Sequence, residues 1–106
     1  MDIANLEPKF LWQHFAGLCR IPRGSKNETA IAKYLVETAG TLGLTAVQDA
    51  AGSVLVRKPA SPGYENAPGV CLQGHMDMVC EKNKDTAHDF LKDPIRLVRD
   101  GNFIKA

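Results

Sequence analysis

His75 and Asp77 are the pair best suited to chemistry in this chain of 106 residues. They stand two apart in Gly74-His75-Met76-Asp77-Met78-Val79, and alternate residues of an extended backbone point to the same side. An imidazole that binds a metal usually gives its other ring nitrogen to an acceptor, often a carboxylate, which fixes tautomer and orientation. The two residue types suit that arrangement. The run follows Val70-Cys71-Leu72-Gln73, a mostly apolar segment bounded by Gly69 and Gly74 that reads as a buried central strand. Strand ends are where α/β proteins hold functional groups against a crevice. Taken alone, His-x-Asp is a short pattern, and an ordinary loop histidine beside an acid competes with the metal or catalytic reading.

Other candidates carry less. His88 and Asp89 are adjacent, so on extended backbone they face opposite ways, and a solvated or loop-stabilising pair is the expectation. His14 falls on a helical stretch four residues after Phe10 and reads as a surface or boundary residue. Cys80 is near His75 in sequence, yet a buried inert thiol is the simpler assignment. Asp85, Asp89 and Asp93 alternate with Lys82, Lys84 and Lys92, the mixed-sign pattern of a solvated surface. Ser25 is accounted for by helix capping and Ser53 and Ser61 by turns; no nucleophilic serine motif or phosphate-binding glycine loop is present.

The elements that must position these residues follow from periodicity. Leu11, Phe15 and Leu18, with Trp12 and Cys19 widening the stripe, predict a helix, capped by Asn5 or Glu7 with Pro8 in its first turn and stopped by Ile21-Pro22. Ser25-Lys26-Asn27-Glu28 has the pattern of a capping box, and Ile31, Leu35, Ala39 and Leu42 line one face of the helix behind it. Gly43 supplies the left-handed residue that ends it. Thr45–Gln48 and Ser53–Arg57, with Gly52 between, predict a hairpin; Pro59 ends its second strand. Residues 59–69 hold three prolines and two glycines and form an exposed connection. Residues 81–92 are polar and irregular, and Ile95–Val98, the Asp100-Gly101 turn and Phe103-Ile104 predict a second hairpin. The order predicts an α/β layer with two N-terminal helices and a mixed sheet of about five strands.

Composition excludes several functions. With 13 basic against 12 acidic side chains the net charge is +1, so no electrostatic footprint for nucleic acid or an anionic membrane exists. Three cysteines, none in a C-x-x-C spacing, make neither a secreted disulfide framework nor a zinc ribbon. No signal peptide and no run of about 20 apolar residues is present. A reduced, cytoplasmic protein is the expectation. The chain also stops at Lys105-Ala106 amid strand-like sequence, from which a missing continuation is expected.

The His75 region is similar to a known family, and the likeness extends in both directions. Leu11 through Ile21-Pro22 to the capping box resembles the opening of aminoacyl-histidine dipeptidases, zinc peptidases of the M20 superfamily. So does Gly52-Ser53-Val54-Leu55-Val56-Arg57-Lys58-Pro59. The longest signature runs from His75-Met76-Asp77-Met78-Val79 past Lys82 to His88-Asp89-Phe90 and Asp93-Pro94-Ile95, closing with Asp100-Gly101 and Lys105-Ala106.

The resemblance implies that residues 1–106 are the N-terminal portion of a catalytic domain hydrolysing dipeptides such as Xaa-His. It implies that His75 binds one of two Zn2+ ions and that Asp77 joins the catalytic machinery by supporting His75; Mn2+ or Co2+ could replace zinc. Two metals lower the pKa of a bridging water and polarise the scissile carbonyl while a glutamate acts as general base. The family's bridging aspartate, glutamate pair, further acidic ligand, late histidine and lid domain have no counterpart in these residues. The chain alone is therefore expected to be inactive and, with an unpaired sheet edge, to self-associate. The alternative is a non-catalytic binding module that keeps the first layer of the fold without its chemistry.

Overall fold

The computed structural model describes residues 3–106. A 3-10 turn at Ile3–Asn5 leads into helix α1, Lys9–Cys19, against which it packs. Pro8 precedes α1 in an extended conformation, and the Glu7 carboxylate accepts the Lys9 N–H at 3.2 Å. The end at Cys19 is capped by Arg20 N–H bonds back into the last turn, one step before Ile21-Pro22.

Helix α2 spans Thr29–Thr41. Its finish follows the glycine rule: Gly43 has φ +71°, Leu44 N–H donates to Ala39 O at 2.9 Å and Gly43 N–H to Gly40 O at 3.0 Å. Those two bonds make a Schellman motif, which satisfies carbonyls that the helix leaves open. Its start departs from expectation, because no side chain caps it. Glu28 accepts the Lys26 N–H at 2.8 Å, and the Ser25 hydroxyl is engaged elsewhere.

Strands β1, Thr45–Gln48, and β2, Val54–Arg57, pair antiparallel with Thr45 opposite Arg57 and Gln48 opposite Val54, as the alternation predicts. Asp49 organises the connection, its carboxylate accepting the Ser53 N–H at 2.9 Å. The second hairpin also forms but begins later. Strands β3, Val98–Asp100, and β4, Phe103–Lys105, flank a two-residue turn at Gly101-Asn102, where Gly101 takes φ +59°. Ile95 lies outside the strand; its N–H donates to Cys19 O at 2.9 Å and ties the segment to the end of α1.

The expected mixed sheet of about five strands is not present: the described residues form two separate two-stranded antiparallel sheets. Val70–Gln73, read as a buried central strand, carries no ladder, and Val70 is 87% and Leu72 93% exposed. A strand exists only where neighbours take up its N–H and C=O groups, and this segment pairs with neither hairpin.

The buried core is correspondingly small. Ile3, Ala16 and Cys19 are buried around α1, and Ile31, Ala32 and Ala39 on α2, the latter helix packing on the β1–β2 hairpin. Leu11 and Phe15 on the anticipated α1 face remain exposed, as does Leu42 on that of α2. The Cα radius of gyration is 16.4 Å, against about 13 Å for a compact domain of 100 residues.

Burial pushes the Cys19 thiol above its ordinary pKa, opposed by the charge and hydrogen bond of Arg23, whereas Cys71 and Cys80 are exposed. Since the thiolate is the reactive form, iodoacetamide is expected to label Cys71 and Cys80 first and Cys19 only as α1 opens. Peptide mass spectrometry checks this, and equal labelling of all three thiols would contradict the packing of the α1 end.

Candidate functional site

The site is built where the loop between the helices meets the segment after Gly74. Gly24 O accepts the Asn27 N–H at 2.8 Å, closing a turn in which Lys26 takes φ +69°. A left-handed lysine costs about 1–2 kcal/mol, so surrounding contacts must hold it. They do: the Met78 N–H donates to Arg23 O at 2.8 Å, and Gly24 and Met78 form a parallel bridge. The bridge lays 76–78 alongside 23–25 and brings Ser25 to Asp77.

His75 and Asp77 meet as their spacing predicts. His75 Nδ1 lies 2.9 Å from Asp77 Oδ1 and also 2.9 Å from the Asp77 carbonyl oxygen. Both neighbours are acceptors, so Nδ1 carries the proton and a neutral ring leaves its lone pair on Nε2. The His75 side chain is 80% exposed and that of Asp77 31%. The other carboxylate oxygen, Oδ2, accepts from Ser25 Oγ at 2.5 Å across 52 residues of sequence.

These bonds hold the Asp77 carboxyl below its ordinary pKa, the Ser25 hydroxyl contributing most and the His75 ring next. A depressed folded-state pKa favours the charged form, so the associated stability is present above the ordinary value of 3.8 and is lost as pH falls through the lowered one. The Asp77 carboxylate resonance, followed by NMR, is therefore expected to titrate below 3.8. A midpoint at or above that value would show that Ser25 and His75 do not stabilise the ionised form.

His75 and Asp77 open onto a broad trough of 960 Å³, whose walls include Ile31 and Leu35 of α2 and Val54 and Val56 of β2. His88, Cys80 and Asp93 line a different hollow of 520 Å³. His88 packs edge-on against Phe90 at 4.9 Å, while Asp89 accepts the Leu91 N–H at 2.9 Å and its own N–H donates to Asp93. The pair stabilises its loop. His14 packs edge-on against Phe10 at 4.6 Å. Ser25 is the member that sequence reasoning missed, because its Ser-x-x-Glu context offered a complete local role as a cap.

A catalytic zinc takes three protein ligands and keeps one open position. Among the described residues no group of three His, Cys, Asp or Glu converges on a point that could hold a metal ion. His75 fits the requirements of one ligand, with Nδ1 held and Nε2 exposed, and the rest of a donor set is not assembled here. Among the described residues no helix is long and apolar enough to cross a membrane.

The described residues thus form an α/β chain that presents a carboxylate-held histidine at one rim of an open trough. Known proteins share this stretch of chain. The chain is 46% identical over 105 residues to the cytosol non-specific dipeptidase of Escherichia coli K12, a match covering 99% of this chain and 22% of that protein. Its fold superposes on the crystal structure of aminoacylhistidine dipeptidase from Vibrio alginolyticus with a TM-score of 0.91 and 47% identity, covering 98% of this chain and 21% of that one. No family model matches the chain. Over essentially its whole length the chain is similar to these two dipeptidases, and it spans about a fifth of their length.

Proposed function

We propose that residues 1–106 form part of the catalytic domain of a metal-dependent dipeptidase, contributing His75 as a metal ligand and Asp77 as its support. The observation that carries the reading is His75, fixed through Nδ1 by Asp77 with Nε2 exposed, in a chain whose relatives are named dipeptidases. A divalent ion, Zn2+ or in its place Mn2+ or Co2+, suits an imidazole donor. When bound in a complete two-metal site, such ions activate water and polarise the scissile carbonyl. The part played by these residues is to hold the ring: Asp77 keeps the proton on Nδ1, so that the Nε2 lone pair is available without reorganisation.

One ligand does not make a catalytic metal site, so the chain alone is inactive in this reading. The remaining donors, the general base and a lid belong to sequence beyond these residues, in keeping with the fifth of the relatives' length that the chain spans. The substrate is a dipeptide, Xaa-His among them. A cytoplasmic location is supported by the word cytosol in the name of the E. coli relative. Exposed Val70, Leu72 and Val79 favour self-association of the isolated chain.

The test is a chimera in which this chain replaces the matching part of the E. coli dipeptidase. It is expected to hydrolyse dipeptides and to lose that activity to a chelator, while the isolated chain shows no turnover. A folded chimera without activity, or turnover by the isolated chain, would overturn the proposal.

A further inference from the structure

We propose that Ser25 is a positioning residue for His75, acting through Asp77. The metal-binding purpose of this linkage rests on the reading of His75 given above, but the linkage itself is defined without a metal. Ser25 Oγ donates to Asp77 Oδ2 at 2.5 Å while Asp77 Oδ1 lies 2.9 Å from His75 Nδ1. The two carboxylate oxygens thus face two different elements. A carboxylate bonded only to His75 can turn about its terminal torsion, which is broad and two-fold. One bonded at both oxygens has its plane fixed, and with it the direction of the bond to Nδ1.

The backbone around Ser25 is arranged for the contact. The turn from Gly24 to Asn27 puts Lys26 at φ +69°, and the bridge from Gly24 to Met78 sets the distance between the serine and the aspartate. Capping, the ordinary use of a serine in this context, is not what Ser25 does, since helix α2 has no side-chain cap. Gly24 itself is confined, because a Cβ there would sit 2.7 Å from Cys80 Sγ. The close approach of the two segments is therefore part of the same construction.

The experiment reads the His75 ring by long-range proton–nitrogen NMR on the histidine-labelled 106-residue chain, with no metal added. In the wild type the neutral ring is expected in the form protonated at Nδ1, its proton held by both Oδ1 and the carbonyl oxygen of Asp77, each 2.9 Å away. The carbonyl keeps that tautomer when Ser25 is removed, so what Ser25→Ala is expected to change is the bond to Oδ1. The Nδ1 and Hδ1 resonances then move upfield as the carboxylate turns away, and Ser25→Thr, which retains the hydroxyl, keeps them in place. In the active chimera, zinc affinity measured by competition with a chelating dye should fall about 10-fold for Ser25→Ala, the lower end of what loss of an outer hydrogen-bond partner costs. A wild-type ring protonated at Nε2, or a folded Ser25→Ala chain with unchanged Nδ1 and Hδ1 resonances, would overturn the proposal. Should Ser25→Ala fail to fold, the threonine variant decides, an upfield shift in it counting against the linkage. A Ser25-dependent shift in a chimera that binds no zinc would leave the linkage standing and remove the dipeptidase reading instead.

Discussion

Replacing His75 by alanine in the chimera is expected to lower dipeptide hydrolysis by about 10³-fold or more. A metal that polarises a carbonyl supplies several kcal/mol of transition-state stabilisation, and each 1.4 kcal/mol or so is tenfold in rate. In the proposed site, loss of the His75 ligand removes much of that stabilisation by loosening or emptying the site. Asp77→Ala is expected to do less, about 10- to 100-fold, because the imidazole stays in place and loses only its support. The order of the two effects is the informative quantity. Rates measured at saturating zinc and at limiting zinc separate lost affinity from lost chemistry. Equal activity of the His75→Ala chimera and its parent would remove His75 from the metal site.

Ile31→Ala is expected to be the substitution most damaging to stability. Ile31 is 1% exposed and has the largest fully buried side chain among the described residues. Truncating such a side chain costs about 2–5 kcal/mol, the transfer of the lost methyl groups plus the cavity they leave. Whole domains are stable by only about 5–15 kcal/mol, and a core of six buried apolar residues among those described places this chain toward the low end. The variant should lose most of its cooperative unfolding transition, followed by circular dichroism in urea. An unchanged midpoint would show that the burial of Ile31 does not hold the fold together. Leu72→Ala, at a position 93% exposed, serves as the control and is expected to leave the midpoint in place.

Much of the local structure was legible from residue spacing. The burial of Ile31 and Ala39 on α2, the glycine that ends the helix and the pairing of β1 with β2 follow from periods of 3.6 and 2 and from left-handed glycines at turns. The approach of His75 and Asp77 belongs to the same class, for it depends on a spacing of two in extended chain. Similarity to the dipeptidases was also legible, since it rests on residue identities along the whole length. The extent of β3 was not, because Ile95 has a strand-forming side chain but spends its N–H on Cys19 O.

Residue order alone therefore dictates the interactions that close within a few residues: the two helices, the two hairpins and the His75–Asp77 contact. The tertiary structure decided whether Val70–Gln73 is a strand, because an apolar run becomes one only when another edge satisfies its backbone. It likewise decided what Ser25 does. A hydroxyl at that position can cap the helix beside it or bond to a carboxylate 52 residues away, and no local pattern distinguishes the two. The choice falls to the bridge between Gly24 and Met78, which brings the charged acceptor within reach, and a hydrogen bond to an ionised group is about twice as strong as one between neutral groups.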